Sequence, residues 1–255
     1  MSSAPRPDSI YFFATCLVDL FYPQAGLAGM ALLKREGLSV IFPYDQTCCG
    51  QPAYNAGYRE EARRVAAAQL DLFPESYPIV VPSGSCAGMM KHHYPQLFAG
   101  SDRHQQALDV AERVWELTGF LTDVLKIELR DLGQPLRVAL HTSCSTRREM
   151  GMAHAGEALL AQLDRVELVE QDHKQECCGF GGTFAVKQPE ISAAMVEDKT
   201  RALREANAEL VVSQDCGCLM NIGGALEYQA QGEHQGEGPA TQHIAEFLWE
   251  RTRGK

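Results

Sequence analysis

The sequence predicts an α/β protein of two similar modules related by duplication, each a small parallel β-sheet flanked by helices. Three observations lead there. Nine cysteines are set out as two copies of one pattern, short β-branched runs alternate with longer helix-like stretches, and each cysteine element follows one of those runs.

Cys16, the pair Cys48-Cys49 and Cys86 form the first copy, and Cys144, the pair Cys177-Cys178, and Cys216 with Cys218 form the second. Cys16 precedes Cys48 by 32 positions and Cys144 precedes Cys177 by 33, while equivalent cysteines keep an offset of 128 to 132. Other residues repeat with them. Gly50 and Gly179 follow the pairs, and Gly119-Phe120-Leu121 answers Glu246-Phe247-Leu248. The expected boundary is near residue 132, giving modules 1–132 and 133–255.

Expected strands lie at 9–15, 38–43 and 78–82 in module one and at 137–141, 165–170 and 209–213 in module two, each an apolar, β-rich run. Between them, Ala, Leu, Glu and Arg predict helices at 58–73 and 189–208. Each module closes on a further expected helix, 107–125 and 241–251, the second preceded by a Gly-rich linker at 231–239 expected to be a mobile loop. Strands alternating with helices make a parallel sheet, whose ligands bind at the carboxyl ends of the strands. All six cysteine elements belong at those ends, so the thiols of a module can converge although they are far apart in sequence.

A length of 255 residues is enough for each module to bury a core without metal or disulfide staples. The net charge of −10 and the absence of any Lys/Arg-dense stretch exclude a surface built to grip nucleic acid. The opening residues are polar, and no run reaches the roughly 18 apolar residues of a membrane span. A cytoplasmic protein without a transmembrane segment is expected, and a reducing compartment favours metal or redox roles over disulfides.

Thiolates are soft ligands for iron–sulfur clusters and zinc, and either centre usually takes four. The candidate ligands are therefore Cys16, Cys48, Cys49, Cys86, Cys144, Cys177, Cys178, Cys218 and Cys216. Neighbouring residues of a strand point to opposite faces, so a Cys-Cys pair serving one centre must lie in a turn, which the following glycine permits. Three other readings compete. Structural zinc usually shows two short knuckles per site, and only Cys216-Gly-Cys218 resembles one; thiol–disulfide exchange typically uses Cys-x-x-Cys, which is absent, although a vicinal disulfide is open to either pair; buried thiols also occur as small core hydrophobes.

Weaker signals have plainer readings. Gly179-Phe-Gly-Gly182 lacks the spacing of a phosphate cradle and reads as a turn beside a centre. His92, His93, His141 and His173 read as satisfied or exposed histidines, with His141 the strongest candidate ligand among them. Arg147-Arg148 reads as a solvated helix start, and Trp115, Trp249 and Phe247 as the buried faces of the two closing helices.

The cysteine pattern, with Phe13-Ala-Thr-Cys16, Thr47-Cys-Cys-Gly-Gln-Pro52, Cys177-Cys-Gly-Phe-Gly-Gly-Thr-Phe184 and Cys218-Leu-Met-Asn-Ile222, resembles the cysteine-rich CCG family of heterodisulfide reductase-like proteins. The likeness covers nearly the whole chain. It implies iron–sulfur binding, of the 4Fe-4S kind with one or two clusters, zinc being the alternative. Within the family the short two-module form is similar to iron–sulfur electron-transfer subunits of complexes that oxidise L-lactate to pyruvate. That similarity implies two partners, a ferredoxin-type iron–sulfur subunit and a third lactate-utilization subunit. A disulfide-cleaving redox subunit is the alternative within the family. The sequence departs from the fullest family pattern where a final Cys-x-x-Cys is expected: Met89 stands there in module one and Asn221 in module two, while Cys216 offers module two a fifth thiol.

Overall fold

A computed structural model describes residues 6–231 and 238–254. Module one contains β1 (Ser9–Phe12), β2 (Ser39–Ile41), β3 (Ile79–Val81) and β4 (Val114–Glu116); module two contains β5 (Leu136–His141), β6 (Val166–Leu168), β7 (Leu210–Ser213) and β8 (Ala240–His243). Each set forms a four-stranded sheet, in the orders β2-β1-β3-β4 and β6-β5-β7-β8. All six strand pairings are parallel. The topologies are identical, as duplication requires.

Six strands arise on the six β-rich runs; β4 and β8 are additional, and they correct the two closing helices. The stretch 107–125 is a helix over His104–Arg113, then β4, then a helical segment from Leu117 that is π-wound over Phe120–Leu125. Trp115 therefore lies on an edge strand, with its ring 6.1 Å from Phe120. Likewise 241–251 divides into β8 and a helix over Ile244–Thr252, on which Phe247 is buried and Trp249 partly buried. Strands of three or four residues are too short to show a period of two, so the helical composition around them dominates the sequence signal. Most of the expected linker 231–239 lies outside the described residues. No helix among the described residues is long and apolar enough to cross a membrane.

Alternation along the strands builds three cores. Ile10 and Phe12 of β1 face the same central core as Val138 and Leu140 of β5. Tyr11 and Phe13 face an outer core of module one, and Ala139 faces the outer core of module two. The helices Pro23–Arg35 and Ile244–Thr252 lie in the central layer, supplying Leu32, Leu33, Phe247 and Leu248. Each such side chain contributes about 1.5–3 kcal/mol on leaving water. The modules are thus separate as sheets and continuous in packing.

Polar contacts fix their alignment. Arg251, in the closing helix of module two, donates from Nε to Asp131 Oδ1 at 2.9 Å and from a terminal nitrogen to Oδ2 at 2.7 Å, a bidentate pair that pins the connection between modules. His243 bridges them from inside: its Nε2 lies 3.0 Å from the Pro82 carbonyl, and its Nδ1 accepts the Ala245 N–H at 3.1 Å. Those partners define a neutral, Nε2-protonated ring.

Candidate metal centres

Each cysteine element lies beyond the carboxyl end of a strand. Cys16 opens a helix (Cys16–Phe21) after β1, and Cys86 lies in the first turn of a helix (Gly84–Gly88) after β3. Thr15 delivers Cys16 with φ at 71°, a left-handed conformation that a β-branched residue rarely adopts, and its hydroxyl accepts from the Val18 N–H at 3.4 Å. The Cys48-Cys49 pair sits in the loop after β2 and turns at Gly50, whose φ is +89°. A Cβ there would also approach the Ala62 carbonyl to 3.1 Å, so glycine is required twice over.

These turns bring the four thiols of module one together. Cys49 Sγ lies 3.2 Å from Cys86 Sγ, and contacts run on from Cys49 to Cys48 and from Cys48 to Cys16. Cys48 Sγ also accepts the Gly50 N–H at 3.3 Å. Contact with Cys16, reinforced by Cys49 and the Gly50 amide, holds the Cys48 thiol well below the ordinary range. Contact with Cys48 and burial push Cys16 up, and contacts with Cys48 and Cys86 do the same to Cys49.

Module two repeats the arrangement. Thiol contacts run from Cys144 to Cys177, from Cys177 to Cys178 and from Cys178 to Cys218. Cys177 Sγ accepts the Gly179 N–H at 3.4 Å, the counterpart of the bond at Gly50, and Gly179 has φ +84°. Contact with Cys177 and burial push the Cys144 thiol up. At Cys218 the contact with Cys178 acts downward, but burial and the nearby Asp215 outweigh it and raise the thiol to about 11. All nine cysteines are free, so neither pair forms a vicinal disulfide. Thiols this crowded repel one another once ionised, and a bound cation or cluster removes that penalty by replacing their protons. The donor chemistry therefore fits a thiolate-bound metal or iron–sulfur group.

Cys216 stands apart from the other four cysteines of its module. It lies two residues before Cys218 on one helix (Cys216–Ala230), and positions so spaced do not share a face. Cys218 joins the outer core with Cys178, whereas Cys216 is 1% exposed in the central core. Its counterpart in module one is Gly84, also first in its helix. The two positions of the missing Cys-x-x-Cys are likewise occupied structurally: Met89 is buried in the outer core, and Asn221 donates to the Cys178 carbonyl at 2.7 Å, bracing the pair.

The histidines separate sharply. His92 is exposed; His93 stacks on Tyr54 at 4.6 Å and reaches Glu149 Oε1 at 3.4 Å; His173 lies 3.0 Å from Glu176. His141 is 1% exposed, and neither ring nitrogen has a hydrogen-bond partner. Burial, with Lys199 and Arg147 nearby, lowers it to about 3. One of its nitrogens and the sulfurs of Cys178 and Cys218 lie within 4.8 Å of one another. Its position three residues before Cys144, at the end of a strand, was the available sequence signal; the lack of any other partner was not readable.

The cationic surroundings also belong to module two. Arg147 is not a solvated helix start: it donates to the Thr142 carbonyl at 3.1 Å and to the Gln175 carbonyl, tying the Cys144 segment to the loop that carries the cysteine pair, while Arg148 is exposed. Lys199 is 1% exposed and donates to the His173 carbonyl; burial lowers it, and nearby Glu176, Cys178 and Cys177 oppose that. The two centres are linked by a short path. The Ser85 N–H, next to Cys86, donates to Asp215 Oδ2 at 2.9 Å, and Asp215 Oδ1 accepts the Gly217 N–H at 3.2 Å, next to Cys218.

Two converging thiol clusters on duplicated parallel sheets define a cysteine-rich metal-binding protein, and the chain belongs to the CCG cysteine-rich domain family, whose model matches residues 10–91 and 138–223. It is 45% identical over 242 residues to lactate utilization protein A of Geobacillus sp. (strain WCH70), covering 94% of this chain and 98% of that one. A lactate utilization protein A of Oceanobacillus iheyensis is 42% identical, with coverages of 94% and 96%. Among solved structures, a hypothetical protein from Helicobacter pylori shares the fold at TM-score 0.70 and 8% identity; the match covers all of this chain and 52% of that one.

Proposed function

We propose that the chain is an iron–sulfur electron-transfer subunit with one 4Fe-4S cluster in each of two modules, 1–132 and 133–255. Cys16, Cys48, Cys49 and Cys86 would hold the first cluster, and Cys144, Cys177, Cys178 and Cys218 the second. The observation that carries this reading is the repeated chain of four touching, reduced thiols at equivalent strand ends. Such clusters, when bound, accept and release single electrons at potentials set by their ligands and surroundings.

The polypeptide supplies position and access. The Gly50 and Gly179 amides donate to one sulfur in each set, favouring the ionised ligand. Asp215 joins the helix starts that carry Cys86 and Cys218, giving electrons a short bonded route between modules. Cys16 and Cys48 open into a cleft of about 250 Å³ lined also by Thr15, Phe42, Tyr44 and Gln46, where a redox partner can approach.

Similarity to lactate utilization proteins A supports a place in a cytoplasmic complex oxidising L-lactate to pyruvate, beside a ferredoxin-type subunit and a third subunit. Anaerobic purification of the full chain, with iron, zinc and acid-labile sulfide assayed, tests the core of this reading. A brown protein whose absorption bleaches on reduction is expected; stoichiometric zinc without labile sulfide would overturn it.

A further inference from the structure

His141 ends β5 on the face that carries Ala139, so its ring enters the outer side of module two and not the central core. There it meets Cys178 and Cys218, with one ring nitrogen and both sulfurs mutually within 4.8 Å. No other polar group satisfies it, since both nitrogens are buried and unpartnered. A buried polar group without a partner is destabilising, and a fold retains one where something else engages it. The corresponding position of module one, three residues before Cys16, is Phe13, which is fully buried and offers no donor.

We propose that His141 is a ligand of the centre in module two, so that the chain carries two chemically different centres: four thiolates in module one, and thiolates with an imidazole in module two. This rests on the proposal that each module holds a cluster. It also accounts for the donor count. Met89 and Asn221 remove a final cysteine from both modules, and Cys216 points into the opposite core, so His141 alone restores a fifth donor, on one side only. As a fifth donor, a neutral imidazole adds no negative charge where a fifth thiolate would, so the centre keeps a higher reduction potential than a five-thiolate one. Arg147 and the buried Lys199 add positive charge near the same centre, which favours its reduced, more negative state. Module two is therefore the electron sink of the pair.

Pulsed EPR on the reduced, anaerobically purified full chain tests the assignment, with histidine labelled by nitrogen-15 and the cluster of module one removed by Cys49→Ser. The expected spectrum shows a directly coordinated imidazole nitrogen. His141→Cys should retain iron and labile sulfide, abolish that coupling and shift the midpoint potential to a more negative value; His141→Phe, which copies module one, should also abolish the coupling. Full iron and sulfide with no coordinated nitrogen in the parent protein, or the same coupling in His141→Cys, would overturn the assignment and leave the cluster reading standing. Absence of iron and labile sulfide from the unsubstituted chain would overturn the cluster reading itself.

Discussion

The two modules share strand order, thiol geometry and the backbone amide that supports the first cysteine of each pair, yet they surround their thiols with opposite chemistry. Module one places Phe13, Met89, Met90 and Tyr94 about its set, an apolar wall broken mainly by the Tyr94 hydroxyl, which donates to the Cys49 carbonyl at 2.9 Å. Module two places His141, Lys199 and Arg147 there. Duplication preserved what the backbone must do to gather four thiols. Divergence acted on the side chains that set the electrostatics, which under the proposed cluster reading would give one fold two potentials.

The most severe way to break the comparison is to remove one proposed ligand from each side. Cys49→Ser and Cys178→Ser should each lose about half of the bound iron and leave the other centre intact, because the two thiol sets share no member. Metal and sulfide assays on the purified variants check this. Loss of all iron from either one would show that the centres assemble together.

Equivalent helix starts provide the next contrast. A Cβ built on Gly84 would lie 1.8 Å from Thr146 Oγ1 and 2.9 Å from the Thr146 backbone nitrogen, and the backbone cannot yield as a side chain can. Gly84→Ala should therefore destabilise the protein by about 3 kcal/mol through overpacking at the module interface. Urea denaturation followed by circular dichroism measures the loss.

A third contrast lies in the residues that cap the closing helical segments. Glu116 accepts from the Thr118 and Gly119 amides, and burial, opposed by those bonds and aided by Asp215, raises it to about 7. His243 occupies the same position in module two, and burial lowers it to about 4. The signs oppose. The Glu116 contribution is present at low pH and lost as pH rises from its ordinary 4.5 through about 7, whereas the His243 contribution is present above its ordinary 6.5 and lost as pH falls through about 4. The slopes offset each other between those ordinary values. Relative to the unsubstituted chain, Glu116→Gln should make stability rise more steeply with pH up to the ordinary histidine range, and His243→Asn should make it rise less steeply, each change on the order of 2 kcal/mol. Thermal melts across pH 4 to 8 would separate them; parallel profiles for the two variants would refute the assignment.

The smallest effect is expected at Cys216. Since its sulfur packs in the central core, Cys216→Ala should cost about 1 kcal/mol of stability as a cavity and should leave iron and sulfide content unchanged. A large loss of metal from this variant would make Cys216 a ligand.

Much of this was legible in one dimension. The constant offset between cysteines announced the duplication, the β-rich runs located β1, β2, β3, β5, β6 and β7, and the glycine after each pair announced a turn. β4 and β8 escaped because an edge strand of three or four residues has no period of its own, and Trp115 consequently reads as helical when it lies on a strand. Arg147 escaped because its partners are carbonyls, one of them on a distant loop.

Spacing, strand propensity and turn glycines are local properties, and their repetition in register was enough to require two equivalent sets of thiols. Which side chains face those thiols was settled by folding. Cys216 and Cys218 are neighbours in the chain but enter different cores, and His141 was one histidine among several near a cysteine until folding removed every other partner from its ring. Burial and the absence of a partner depend on residues far apart in the chain, so they arise only when both faces of the sheet have been packed.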